Sequence, residues 1–583
     1  MSRLPALWIA PIVGALALPW LGCPDPTPSV RAEGPSVVLY LVDTLRPDHL
    51  GVYGYPRETS PRLDAFARDA VVFENAYSPS SWTRPATASL LTGLSPGRHG
   101  ATGRVDVLPD EVRLLSEHFQ EAGYRTLGLV TNPNVIPLWG FDQGFDLFED
   151  VDSRSRGASA DVLMDRVLEQ LDALPPDTPF FLYVHALDPH EPYEPPPDWA
   201  QPFEGGGRRD VALYDGEIAF GDYHFGRLLD RLRARGQYEE ALVVFVSDHG
   251  EEFEEHGGTG HGHALFEESV RIPLLVKLPG NERAGARVSG IATLMDVAPT
   301  VLAALGRPVP ADLDGVDLLS DPSATRGERP LFLDLELDWH RGRTDIVRGV
   351  RVGDRKYLRR MRPVEGELLF DLASDPGETA DLRESSPEEA AELAALLDAH
   401  TAAHSTGVHL RVIHSAWGTD RRCRARLETA GRFVQLATRL LEAGDRVELA
   451  DGGRSLLLDV ALRNYPHPTG GVPHVIIDED AVAVEVEPRD AAIELTALPD
   501  DDHGPCDVWL GPDHTALEGS RLRFDTGRAD LALRDVSSLV RAEGPRGAAV
   551  PQGIYLAVVR PADARSEVPE EVRARLRELG YLE

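Results

Sequence analysis

Lysine is almost missing from this chain. Lys277 and Lys356 are the two in 583 residues, and arginine supplies the rest of its 59 basic side chains. Codon bias accounts for the scarcity, yet it leaves few positions able to offer a catalytic amine. Cysteine is nearly as rare, with Cys23, Cys423 and Cys506 alone, no C-x-x-C pair and no zinc-type spacing. Outside the cytoplasm Cys423 and Cys506 could form one disulfide; two unrelated buried thiols are the other reading. Excess positive charge is absent as well. A net charge of −36 argues against nucleic acid and anionic membrane surfaces as partners, except where a local site reverses the sign. No repeat of 20–50 residues stands out. The apolar run Leu4 to Leu21 is broken by Pro5, Pro11 and Pro19, is short for a membrane span of roughly 20 residues, and suits an export signal.

That run ends in Leu21-Gly22-Cys23, which resembles a bacterial lipoprotein cleavage site, although Trp20 stands where the motif prefers Leu. Residues 1–23 are thus expected to be a lipoprotein-type signal, with export to the periplasm or cell surface and lipid anchoring through Cys23. Plain secretion and an uncleaved anchor are the competing readings. Residues 24–35 form a Pro-rich linker of the kind that holds a domain off a membrane. Over the whole chain, 42 % apolar and 26 % charged residues describe a globular protein rather than a disordered one. The length exceeds what one core usually supports, which predicts two or three domains.

Ser36–Asp43 (SVVLYLVD) is a continuous apolar run ending in a carboxylate, and Ala241–Asp248 (ALVVFVSD) repeats the design. Such runs suit buried parallel strands covered on both faces, whose carboxyl ends gather functional groups. Phe180–His185 and Tyr124–Val130 read as further strands, and Asp161–Leu174 and Ile218–Arg235 as helices between them. The alternation over about 36–320 predicts an α/β domain. From Leu331 to Leu382 the strands become shorter and more polar, and a helix follows, with Ser386, Pro387 and Glu389 as its start signals. Residues of about 408–564 read as mostly β, as in AVAVEVE (Ala481–Glu487) and RVELA (Arg446–Ala450). No catalytic cluster is apparent there. VPEEVRARLRELGYLE closes the chain as a short amphipathic helix with Val572, Leu576 and Leu579 on one face and Gly580 as its stop.

The chemistry-bearing stretch is SSWTRPATASLLTG (Ser80–Gly93). Pro85 suits a first helical turn and Gly93 a terminator, so the Thr83 hydroxyl lies among the unpaired N–H groups of a helix start, a setting that favours anions. An ordinary N-cap threonine is an equally good account of this segment alone. Asp43 and Asp248 change the balance. Both end apolar strands, and His249 follows Asp248. Two carboxylates and an imidazole make a site for one divalent metal, which would activate a neighbouring hydroxyl. YVHALDPHEPY adds His185, Asp188 and His190, and HGGTGHGHALFEE adds His256, His261 and His263. Imidazoles in such loops suit proton transfer to a leaving group or contact with an anion; His256 reads as a solvent-exposed loop histidine.

In this order, LVDTLRPDHLGVYGY, the Ser80 segment, YVHALDPHEPY, VVFVSDHGEEFEEHG and GHGHALFEESVRIPLLV resemble the sulfatase family of the alkaline phosphatase superfamily. TLMDVAPTVLAALG, ELLFDLASDPGETADL and the terminal LRELGYLE resemble its later segments, so the likeness covers roughly residues 36–383 and the end. The resemblance implies Asp43, Asp248 and His249 as metal ligands and Thr83 as nucleophile, at the position that active sulfatases fill with a Cys or Ser oxidised to formylglycine. It implies His190 as a contact to the ester group, and His261 or His263, with His263 preferred, where the family often carries a lysine near the leaving group. Asn132, His185 and His261 complete the set as substrate-binding residues.

The departures matter as much. Thr44 stands where sulfatases usually have a second metal-binding aspartate, and Thr87 replaces the signature arginine. Val130-Thr131-Asn132-Pro133 stands where Gly-Lys-x-His is expected, and His249 where many members have Asn. Threonine oxidation would give a ketone, so no formylglycine is expected.

The fold implied is an alkaline-phosphatase-like mixed, mostly parallel sheet between helices, with a small C-terminal antiparallel subdomain and an appended mostly-β domain. The catalytic domain is set at 36–405, the accessory β-rich domain at 406–565 and the final helix at 566–583. The activity implied is metal-dependent hydrolysis of sulfate or phosphate esters, with phospho(di)ester hydrolysis or transfer preferred on the chemistry of a threonine alkoxide. Aryl or carbohydrate sulfatase action is the first alternative, and a non-catalytic cell-surface binder of anionic glycans the second. One divalent metal is expected, Mn or Zn ahead of Ca or Mg because of His249. The substrate would be a small-molecule, lipid or glycan ester, with no nucleic acid, and membrane contact only through the N-terminal lipid or signal anchor.

Overall fold

The computed structural model describes residues 34–404 apart from 104–106, 111, 152–158, 206, 321–328, 340–342 and 363, and further segments of the C-terminal region between 408 and 558. The export signal, Cys23, Cys506 and the final helix lie outside the described residues.

The strands of the first half are β1 (Val37–Val42), β2 (Val71–Tyr77), β3 (Arg125–Val130), β4 (Leu147–Asp150), β5 (Phe180–Ala186), β6 (Leu242–Ser247), the two-residue pair β7 (Glu252–Phe253) and β8 (Thr259–Gly260), then β9 (Arg271–Lys277) and β10 (Arg287–Thr293). Eight of them make one sheet in the order β10-β2-β9-β6-β1-β5-β3-β4. All its pairings are parallel except those of β9 with β2 and β6. The apolar runs form these strands because the sheet is covered on both sides. Along β1, Val37, Leu39 and Leu41 face one buried cluster while Val38, Tyr40 and Val42 face the other. Each fully buried side chain of this kind contributes about 1.5–3 kcal/mol. The expected helices appear as Ala160–Ala173 and as a longer Arg209–Ala234.

Four further strands, β11 (Leu331–Trp339), β12 (Arg343–Val352), β13 (Arg355–Arg362) and β14 (Gly366–Asp371), form an antiparallel meander. One face carries the helix Pro387–His404 through Leu393, Leu396 and Leu397. The other packs against Tyr77, Trp82, Leu265 and Phe266 and so braces the loops of the main sheet. Glu389 pairs with Arg355 at 3.0 Å, and the Ser386 N–H donates to the Leu382 carbonyl, so the capping box expected there is not made. The remaining described strands form a six-stranded and a five-stranded sheet, mostly antiparallel. Cys423 in that region is disulfide-bonded. No helix of the described residues is long and apolar enough to cross a membrane.

Both lysines are structural. Lys277 Nζ donates to the carbonyls of Glu239, Ala241 and Leu278 at 2.8–3.2 Å, and burial lowers its pKa. Lys356 is fully buried between Glu267 (3.0 Å) and Glu378 (2.9 Å). Neither supplies a catalytic amine.

Candidate active site

Parallel register brings the strand-end residues to one edge. Val42 pairs with Ala186 on one side and Ser247 on the other, and Val130 pairs with His185. Asp43, His185, Asp248 and Asn132 therefore emerge together at the carboxyl edge of the sheet, all buried. Thr44 has φ 53°, a left-handed conformation that is rare for a β-branched residue. It turns the Thr44 N–H onto Asp248 Oδ1 (3.1 Å), where the His249 N–H also donates (2.9 Å). The Thr44 hydroxyl donates to the Pro189 carbonyl at 2.9 Å, which ties the histidine loop to this edge.

The Ser80 segment forms the helix Thr83–Thr92, with Gly93 at φ 74° as its left-handed stop. Thr83 is the first helical residue. Trp82 takes the N-cap position in extended geometry, with no side-chain cap. The Thr83 hydroxyl is thus not consumed in capping, and it faces His249 Nε2 and Asn132 Nδ2, each at 3.4 Å. Asn132 Nδ2 also donates to Asp43 Oδ2. One amide holds the hydroxyl and the carboxylate together.

The donor set fits a cation. Asp43, Asp248 and His249 each present a ligand atom within 4.8 Å of the others. Asp43 Oδ1 and Asp248 Oδ2 are buried and accept no hydrogen bond, a costly state for carboxylates without a positive partner. Burial, then the Asp43 charge, pushes the Asp248 carboxyl well above the ordinary range. Burial acts on Asp43 too, but the His185 hydrogen bond and the neighbouring histidines hold it below that range. Burial, then His261, pushes His249 down to about 3. Its Nδ1 lies 2.9 Å from the Gly250 carbonyl and must donate to it, so Nε2 carries the lone pair, at 3.4 Å from Asp248 Oδ2 and 3.8 Å from Asp43 Oδ1. A neutral imidazole with a fixed tautomer is what a metal ligand needs. His185, expected to touch substrate, has Nε2 at 3.2 Å from Asp43 Oδ2 and Nδ1 at 2.9 Å from the Tyr183 hydroxyl. It stands behind Asp43.

The three loop histidines divide. His261 packs against His249 with ring centroids 4.5 Å apart and against His190 at 4.9 Å, so these three imidazoles line one side of the site. His263 turns elsewhere. Its Nε2 is 2.7 Å from Glu252 Oε2 and its Nδ1 3.3 Å from the His261 carbonyl. Burial would raise the Glu252 carboxyl, but the His263 hydrogen bond outweighs it and holds the group down at about 2. His256 stacks on Phe266 and pairs with Glu268 at 2.8 Å; burial works against its charge, but Glu268 prevails and lifts it to about 9. With Glu252, these two form a second cluster of ligand type, in which the ion pair already neutralises the carboxylate. Sequence reading passed over Glu251 and Tyr193. Glu251 is fully buried, with Oε1 2.9 Å from His261 Nδ1 and Oε2 2.9 Å from the Tyr193 hydroxyl. It sits in the acidic run EEFEE, which looks like a solvated face, and nothing in composition separates it from its neighbours.

A profile of the Sulfatase family matches residues 35–307, and one of the N-sulphoglucosamine sulphohydrolase C-terminal region matches 255–403. The ulvan-active sulfatase of Formosa agariphila is 27 % identical over 435 residues, covering 63 % of this chain and 81 % of its own. The N-acetylgalactosamine-6-sulfatase of Rattus norvegicus is 26 % identical over 471 residues, covering 65 % and 86 %. Among solved structures, a protein in complex with its substrate D-glucosamine-2-N,6-O-disulfate superposes with a TM-score of 0.55 at 18 % identity, covering 63 % of this chain and 97 % of that one. The phosphonate monoester hydrolase of Agrobacterium radiobacter gives 0.53 at 21 %, covering 62 % and 94 %.

Proposed function

We propose that the chain, whose residues 35–307 match the Sulfatase family model, is a hydrolase of that family and that it cleaves a sulfuric ester of a carbohydrate or aryl alcohol with Thr83 as the nucleophile. The observation that carries this reading is the uncapped Thr83 hydroxyl, 3.4 Å from His249 Nε2 and from Asn132 Nδ2, beside a ligand-type cluster in which Asp43 Oδ1 and Asp248 Oδ2 accept no hydrogen bond. Threonine chemistry alone favours a phosphoric ester. The relatives described above weigh toward the sulfuric one, since their names are those of carbohydrate sulfatases.

Asp43, Asp248 and His249 would hold one divalent cation, which supplies positive charge for the anionic centre and lowers the pKa of a nearby hydroxyl. The chain's own groups do the rest. Asn132 fixes the Thr83 hydroxyl beside Asp43, and the N-terminus of its helix favours the alkoxide. Thr83 Oγ bonds to sulfur as the bond to the leaving oxygen breaks, and His261 Nε2–H gives that oxygen its proton. Water then attacks the sulfur, neutral His261 takes the water's proton, and the Oγ alkoxide is released. His190 contacts the ester group from the same side. Positioning and fixed charge account for most of the acceleration in such a site.

Threonine itself supports a second reading, phosphate or phosphonate ester hydrolysis. A sulfo-threonine is hard to discharge without the aldehyde hydrate that threonine cannot form, whereas a phospho-threonine yields to in-line attack by water. The deciding experiment is a panel of sulfate monoesters, phosphate monoesters, phosphodiesters and phosphonates with Mn, Zn, Mg or Ca, run beside Thr83→Ala. We expect turnover of a sulfate ester, cut at least about 10³-fold in Thr83→Ala. Phosphorus esters turning over alone would select the second reading, and full activity in Thr83→Ala would remove the nucleophile assignment. Metal binding without turnover on any class would leave a binder of anionic glycans. We also propose export with anchoring through Cys23, supported by the disulfide at Cys423; fatty-acid labelling lost in Cys23→Ser is the expected result.

A further inference from the structure

Glu251 is placed unlike any other carboxylate near the site. It is fully buried, follows the ligand pair Asp248-His249 by two residues, and has each oxygen directed at a different loop. Oε1 lies 2.9 Å from His261 Nδ1, on the loop that follows β8. Oε2 lies 2.9 Å from the hydroxyl of Tyr193, on the loop after β5 that also carries His190. Its own backbone is held at both ends, by its N–H on the Glu268 carbonyl (3.0 Å) and by Arg46 on its carbonyl (2.9 Å). A rigid carboxylate thus fixes the orientation of one imidazole and the position of the segment bearing the other.

We propose that Glu251 is the positioning residue of this site, a clamp that holds His261 Nε2 toward the leaving oxygen and ties the His190 loop to it. This rests on the ester-hydrolase reading given above. An imidazole free to rotate about its χ angles spends little time with Nε2 in line. One anchored through Nδ1 to a carboxylate has a single orientation and a single tautomer, the device by which ring partners are fixed in metal and proton-transfer sites. As the ester bond breaks, its electron pair stays on the leaving oxygen, and the Nε2 proton moves to that oxygen. The ring is left neutral with Nδ1–H still on Glu251, ready to take a proton from the attacking water. Glu251 neither gains nor loses a proton. It touches no substrate atom, so its removal should act on the chemical step and on the substrates that most need proton donation.

The test uses the full chain loaded with its preferred metal and two esters of the accepted class, one with a 4-nitrophenol leaving group and one with an alkyl alcohol. Glu251→Ala should lower kcat on the alkyl ester by about 10- to 100-fold, the usual range for such outer partners, with KM changed less than about twofold. The nitrophenyl ester, whose leaving group needs no proton, should lose far less. Glu251→Gln should restore most of the rate, because its amide oxygen accepts from Nδ1–H and its amide N–H donates to Tyr193. Glu251→Asp, charged but one methylene short, should behave like Glu251→Ala, which keeps the test open if the alanine variant does not fold. Equal losses on both esters, an effect confined to KM, or a glutamine variant no better than alanine would each overturn the proposal. Wild type turning over neither ester, or Thr83→Ala remaining active, would instead overturn the hydrolase reading beneath it.

Discussion

The two ends of the site are built on opposite plans. At the candidate metal end, Asp43 Oδ1 and Asp248 Oδ2 are buried and accept no hydrogen bond, and burial keeps His249 neutral beside them. At the end proposed to face the leaving group, the buried carboxylate Glu251 has both oxygens engaged, by His261 and Tyr193, and His190 packs on His261. The first arrangement is unfavourable until a cation arrives; the second is complete as folded. Only the metal end should therefore change stability with metal, while the leaving-group end should change rate with little effect on metal binding.

The largest test of that contrast is Asp248→Asn. It should lower kcat/KM by at least about 10²–10³-fold, the cost of losing one principal charge partner, and abolish metal-dependent stabilisation. In the metal-free protein it should raise Tm, because it removes a buried carboxylate with an unsatisfied oxygen. Titrating metal into wild type should do the reverse, adding about 2.7 kcal/mol at a hundredfold excess over Kd, seen as a Tm rise that a chelator cancels. A metal-free Asp248→Asn no more stable than wild type would break the comparison. Next in size, His261→Ala should cut kcat by about 10²-fold and leave the metal-induced Tm shift intact. His263→Ala, whose partner is Glu252, should lower Tm by a few degrees with kcat nearly unchanged.

That last pair marks where sequence reading stopped. Strand ends were legible because an apolar run closed by a polar residue has one economical placement, and so Asp43 and Asp248 were found with their sheet edge. The choice between His261 and His263 was not legible. Residues two apart share a face only in regular extended chain, and Gly260 and Gly262 at φ 81° and 74° break that regularity, so the preferred histidine points at Glu252 and its neighbour at the site. The helix start at Thr83 was legible, but whether Thr83 caps that helix or opens it was not, since a cap and a first turn share the same composition; the structure has Trp82 at the cap and Thr83 in the first turn. Glu251 depends on contacts with residues ten and 58 positions away, which no local pattern encodes. In 406–565 alternation yields strands but names no ligand.

A fourth buried carboxylate sharpens the contrast at the smallest scale. Glu217 Oε1 accepts from the Glu194 N–H at 2.6 Å, while Oε2, like Asp43 Oδ1, accepts no hydrogen bond. The clusters with metal-ligand spacing among the described residues do not include it, and its remedy is a proton. Burial, then the charge of Asp188, pushes it up to about 9. Between the ordinary glutamate value and 9 the folded chain thus holds a proton that the unfolded chain has lost, so stability falls as pH rises through that window. The contribution is complete below the unfolded value and gone above about 9. Glu217→Gln, which keeps the shape and removes the titration, should flatten this slope. Its Tm should exceed that of wild type by a few degrees near pH 8.5 and converge with it toward pH 5. Because Glu217 is no ligand, the same gain should appear with and without metal, whereas the gain of Asp248→Asn should vanish once wild type is loaded.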